Sequence, residues 1–153
     1  MKKLLLLLFF IPNLAIAEAS MIPLAKYIAD KDDWQSNFYE VFYVTCRCAL
    51  LYAAVHKGSY GIDEKHYDKE HWKKSWSLVD SLEDYIDQKE PVYSDSKNTY
   101  ILERTLINLW GFYSSETSKN HIGDNQFKGV MYDDLITCEK YDKFFESLLR
   151  EAV

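Results

Sequence analysis

"WQSNFYEVFYVTCRCALLYAAVHK", Trp34 to Lys57, is the stretch on which the fold turns. At 100° per residue, Trp34, Phe38, Val41, Thr45, Cys48, Tyr52 and Val55 fall on one stripe of a helix, and Phe42, Ala49 and Ala53 widen it. Only Ser36, Glu40 and Arg47, with Ala54, leave a narrow polar wedge. A helix that is apolar over most of its circumference needs cover on several sides, so this spacing predicts a central helix with neighbours around it. Asp32 or Asp33 is placed to cap its start and Gly58 to end it.

Three further segments carry helical periodicity. From Asp63 to Lys89, Trp72, Trp76, Val79, Leu82 and Ile86 share a face, with Leu78 and Tyr85 beside it and Pro91 just beyond the end. From Asp95 or Ser96 to Tyr113 the stripe is Leu102, Leu106, Leu109, Trp110 and Tyr113. From Asn125 or Gln126 to Glu151 it is Phe127, Met131, Leu135, Cys138, Phe145 and Leu149, with Gly129 a reason for a later start. Between the last two, "SSETSKNHIGDN", Ser114 to Asn125, is polar and aperiodic and reads as the longest loop. No strand pattern competes. The expectation is an all-α, compact four-helix bundle-like domain.

The N-terminus has a different character. Lys2 and Lys3 precede an apolar run, Leu4 to Ile11, then Pro12-Asn13 and the small-residue sequence "LAIAEAS". This is the plan of a secretory signal peptide, residues 1–17, cleaved after Ala17 or, as the alternative, after Ala19. The run is far shorter than the roughly 20 residues of a spanning helix, which favours removal over retention as an anchor. Residues 18–153 then form a single helical domain, periplasmic or secreted, and no later stretch reads as apolar enough to span a membrane. The full chain carries 18 Lys and Arg against 24 Asp and Glu, a net −6, and loss of the leader takes two lysines and no acid. So acidic a domain repels phosphate backbones and anionic lipid, which argues against nucleic acid and membrane surfaces as partners.

The three cysteines are Cys46, Cys48 and Cys138. Helical positions i and i+2 point about 200° apart, so Cys46 and Cys48 do not bond to each other. An oxidising destination favours one interhelical disulfide to Cys138. Cys48, on the most apolar stripe, is the favoured partner, with Cys46–Cys138 the alternative. The leftover thiol reads first as a small buried apolar side chain. A redox thiol is the competing reading, since it stands two residues from the bond.

Other constellations carry less. His66, Asp68, Glu70 and His71 crowd together, but His66 and His71 are five apart and point about 140° away from each other, which disfavours a metal. Asp142 and Glu146, one turn apart, resemble an acid pair, yet no calcium loop follows. Asp133 and Asp134 read as complements to a helix dipole. Nucleophile elbows and phosphate-cradling glycine loops are absent from the sequence. Tyr39 and Tyr43 lie one turn apart, away from the central stripe, and are the candidate binding residues. The function expected is therefore non-catalytic binding in the cell envelope, of an envelope protein or a small apolar ligand, with no cofactor and no metal. The alternative is a thiol-dependent redox factor or enzyme using the spare cysteine of Cys46 and Cys48.

Overall fold

The structure, a computed structural model, describes residues 21–59, 69–89, 96–120 and 127–151. The leader, the start expected at Asp63, and His66 and Asp68 lie outside them. Among the described residues there are helices and turns and no strand. In chain order the helices are α1 (Leu24–Ala29), α2 (Phe38–Ser59), α3 (Lys69–Lys89), α4 (Ser96–Asn120), α5 (Val130–Lys140) and α6 (Asp142–Glu151), with a 3-10 turn at Trp34–Ser36 before α2. The all-α expectation stands, with a short leading helix added and the last expected helix divided in two.

The central helix is α2. Val44, Thr45, Cys46, Arg47, Cys48 and Ala49 are all at most 3 % exposed, and six consecutive buried residues require cover on every side. That cover comes from α3 along one flank, α4 along another, and α5 and the 3-10 turn on the remainder. Contrary to the sequence expectation, Phe38–Lys57 is long and apolar enough to cross a membrane, but most of its surface is buried by the other elements. The helix begins later than periodicity suggests. Trp34 belongs to the preceding turn, and Asn37, not Asp32 or Asp33, caps α2: its Oδ1 accepts from the Tyr39 and Glu40 amides at 3.0 and 3.3 Å. Trp34 still reaches the core, packing edge-on against Tyr141 and Phe144.

The stretch read as the longest loop is helical up to Asn120, and residues 121–126 lie outside the description. Two of its hydroxyls bond back to the helix instead of competing with it. Thr117 Oγ1 donates to the Tyr113 carbonyl at 2.8 Å and Ser118 Oγ to the Ser114 carbonyl at 2.9 Å. The opposite error falls in the last segment, where the helix breaks at Tyr141, whose amide is shared between the Thr137 and Cys138 carbonyls. The break lets Asp142 reach inward. Its Oδ1 accepts from Tyr52 Oη and its Oδ2 from Lys74 Nζ, both at 2.9 Å, tying α6 to α2 and α3. Gly129 does set the start of α5: it holds φ +62°, a conformation glycine adopts without strain.

Cys48 and Cys138 form a disulfide between α2 and α5, 90 residues apart in sequence. Closing so long a loop in the unfolded chain stabilises the fold by on the order of 4 kcal/mol.

The polar wedge of α2 is a second correction. Arg47 and Asp134 are both fully buried. Asp134 Oδ2 accepts from Arg47 Nη2 at 2.7 Å, from Arg47 Nε at 2.9 Å and from the Tyr113 hydroxyl, while Oδ1 accepts from the Leu24 amide at 2.6 Å. Arg47 Nη2 also donates to the Ile22 carbonyl at 2.6 Å. Arg47 is thus buried under the N-terminal strap, residues 21–31, and the charges of the wedge are matched rather than solvated, while Ser36 at its start stays exposed. Burial pushes the Asp134 carboxyl up. Arg47, Tyr113 and the Leu24 amide pull it back without cancelling the effect, so it stays above the usual aspartate value. Glu40, the other charge of the wedge, accepts from Tyr27 and Lys31 and so fastens the far end of the strap.

Candidate functional site

The predicted site residues do not converge. Cys46 is 1 % exposed, and burial alone drives its thiol well above the ordinary cysteine range. Its neighbour Arg47, the cation that would have stabilised a thiolate, faces Asp134 instead. Tyr39 is exposed, but Tyr43 turns inward: its ring packs on Tyr27 at 4.7 Å and its hydroxyl accepts from Arg47 Nη1 at 3.4 Å. Asp142 and Glu146 do border a cavity of ≈ 240 Å³, yet both oxygens of Asp142 are engaged by Tyr52 and Lys74, so the pair is not poised to move protons. His71 packs against Tyr52, with ring centroids 5.3 Å apart. Asp134 is an internal counter-ion rather than a dipole complement, while Asp133 remains exposed in the first turn of α5. Among the described residues no group of three or more His, Cys, Asp or Glu side chains is arranged to hold a metal.

The concave feature that stands out lies elsewhere. Helices α3 and α4 pack extensively on α2 and far less on each other. The consequence is a groove over α2 with a volume of ≈ 540 Å³. Its floor is Phe42, Cys46, Ala49 and Leu50 of α2. Those positions are separated by four, three and one residues, and so form one face of the helix. At 1.5 Å per residue they extend about 12 Å. The α3 wall is Val79, Leu82, Glu83 and Ile86, and the α4 wall is Leu106, Ile107 and Trp110. Glu83 is the one ionisable carboxylate among these lining groups, and the surface they present is almost wholly apolar. The volume falls within the 300–1,000 Å³ typical of ligand pockets.

The reason for the groove is legible in α3. The face of α3 against α2 is not the tryptophan stripe but Ser75, Leu78, Ser81 and Leu82, all buried. Two of these four are small serines, and the bulky tryptophans stand to the flank. Trp72 and Trp76, expected in the core, are 40 % and 51 % exposed. Trp72 stacks on His56 at 4.7 Å and meets Trp76 edge-on at 5.5 Å. Trp76 lies three and seven residues before Val79 and Glu83, so it continues the groove wall upward. On α4, Ile107 is 68 % exposed, and Lys57 Nζ lies 5.1 Å from the Trp110 ring centre. Glu103 is exposed and lies three, four and seven residues before Leu106, Ile107 and Trp110, on the same face. Glu83 thus lines the α3 wall, and Glu103 precedes the α4 wall by one turn.

Periodicity finds these apolar residues but assigns them to the core. What separates the two cases is burial: Ser75 and Ser81, two polar residues, are buried, while Trp72 and Trp76 are exposed. No family model matches the chain, and no curated protein or solved structure matches it.

Proposed function

We propose that this protein is an exported, non-catalytic binding protein of the cell envelope, and that the groove between α3 and α4 is where it binds. The observation that carries the reading is an open apolar trough of ≈ 540 Å³ on the surface, walled in part by the exposed Ile107, with the exposed Trp76 one turn before Val79 of its α3 wall. Exposed apolar surface of this kind is costly to leave in water and marks interaction sites in soluble proteins. The signal-peptide plan of residues 1–17 supports export, and the Cys48–Cys138 bond suits an oxidising compartment.

Against the thiol-dependent alternative stands the burial of Cys46. Exchange requires a thiolate, and a thiol that burial holds in its neutral form supplies almost none at neutral pH. Tyr39 is not needed for binding in this reading, and Tyr43 serves the packing of the strap.

The test is titration with N-phenyl-1-naphthylamine, an uncharged apolar fluorophore that brightens out of water. The protein should bind it with a saturable rise in emission. Val79→Asp and Ile107→Asp should each reduce that rise, while Tyr39→Ala leaves it unchanged. No saturable rise, or a rise indifferent to both aspartates, would refute the groove as the binding site.

A further inference from the structure

We propose that the natural occupant of the groove is an amphipathic helix supplied by another protein, carrying apolar side chains at helical spacing with Lys or Arg beside them. This rests on the groove being the binding site and adds what fills it.

Shape is the first argument. The groove is bounded by three helices, with α3 and α4 held apart over a strip of α2 two turns long. That is the space a bundle leaves when one helix is absent. Ridges at i, i+3, i+4 and i+7 on an incoming helix match the spacing of Val79, Leu82, Glu83 and Ile86 on α3.

Extent is the second. A small molecule sunk against Cys46 and Ala49 would leave Trp76 as exposed as before, at 51 %, and cover only the groove-facing side of Ile107. A helix lying along the trough covers both. Trp76 is also the kind of side chain that dominates binding when an interface desolvates it.

Charge is the third, and it selects the sign of the partner. Glu83 stands on the α3 wall, and the exposed Glu103 lies one turn before Leu106 and Ile107 of the α4 wall, while Lys57 is held against the ring of Trp110. The chain as a whole is at −6. A basic helix gains from both rims and from long-range attraction, whereas an acidic one is repelled by both.

The experiment titrates the purified protein with three 18-residue synthetic peptides, monitored by fluorescence anisotropy. One has leucines at i, i+3, i+4 and i+7 with lysines elsewhere. The second keeps the leucines and replaces lysine by glutamate. The third scrambles the first. N-phenyl-1-naphthylamine is run in parallel. The basic amphipathic peptide should bind at least about tenfold more tightly than either of the others. The exchange Glu83→Lys with Glu103→Lys should weaken it by roughly tenfold and favour the acidic peptide, from two rim pairs of modest worth each. Trp76→Ala should weaken it by at least about 30-fold, as the loss of a central aromatic anchor does. Both glutamates and Trp76 are exposed, so these variants retain the fold, which circular dichroism checks.

If the fluorophore binds in the groove and the peptides do not, or if the scrambled peptide binds equally well, the helix proposal falls while the groove remains a site for a small apolar ligand. If neither binds, both fall. If the protein alone forms a concentration-dependent dimer that Ile107→Asp dissolves, the occupant is a second copy and the proposal is overturned.

Discussion

Replacing Asp134 by asparagine leaves the shape of the side chain and its acceptor for the Leu24 amide, and removes one charge. What remains is Arg47, fully buried, with its guanidinium facing a neutral amide, two tyrosine hydroxyls and the Ile22 carbonyl. Removing one member of a buried ion pair costs about 3–5 kcal/mol, because the other charge stays desolvated. That is a large part of the roughly 5–15 kcal/mol by which a domain of this size is stable. The melting temperature should fall by about 10–20 °C, at a few degrees per kcal/mol. Urea denaturation followed by circular dichroism measures the loss directly. The double variant Arg47→Met with Asp134→Leu should recover most of it, since well-packed apolar substitutes for a buried pair are often neutral. A loss below about 1 kcal/mol for Asp134→Asn would refute the reasoning, because it would mean that Arg47 reaches water and the strap does not cover it.

Other consequences can be checked separately. Cys138→Ser should destabilise the chain by on the order of 4 kcal/mol and leave two unpaired thiols, while Cys46→Ala should keep the bond and cost about 1 kcal/mol, read by denaturation and intact mass after alkylation. Glu40 gives a pH dependence. Burial alone would raise its carboxyl, but hydrogen bonds from Lys31 and Tyr27 and the Lys31 charge outweigh that and hold it below the usual glutamate value. A carboxyl lowered in the folded state contributes stability above its unfolded value, and that contribution is lost as the pH falls through the folded value. The native chain should therefore lose stability on acidification below the ordinary glutamate range more steeply than Glu40→Gln, measured by denaturation at stepped pH. Gly129→Ala, at φ +62°, should destabilise by about 1 kcal/mol despite open space at the position, because of backbone strain alone.

Much of this architecture is readable from periodicity, and the failures have physical causes. The stripe from Trp34 to Val55 identifies α2 as central, and the place of Cys48 on that stripe favours it over Cys46 as the partner of Cys138, which is the bond formed. Arg47 is harder. A single charge on an apolar helix looks like a solvent-facing mark unless its counter-ion is known, and Asp134 is 87 residues away with no local sign of the pairing. The continuation of α4 through "SSETSKN" escapes because Ser and Thr read as loop formers until their hydroxyls are seen to bond within the helix. The groove escapes for a different reason. Trp72, Trp76, Val79 and Ile86 satisfy every criterion for a core stripe, yet Trp72 and Trp76 are exposed and Val79 and Ile86 only partly buried. Hydrophobic spacing reports that a face will be covered, not whether this chain or another covers it.

The most direct measurement is a nuclear magnetic resonance titration of the ¹⁵N-labelled protein with N-phenyl-1-naphthylamine. The account expects saturable shifts at the amides of Cys46, Ala49, Val79, Leu106 and Ile107, which lie on the three helices around the groove, and none at Tyr39. Shifts centred on Tyr39, or on the exposed Tyr132 and Ile136 of α5, would contradict it.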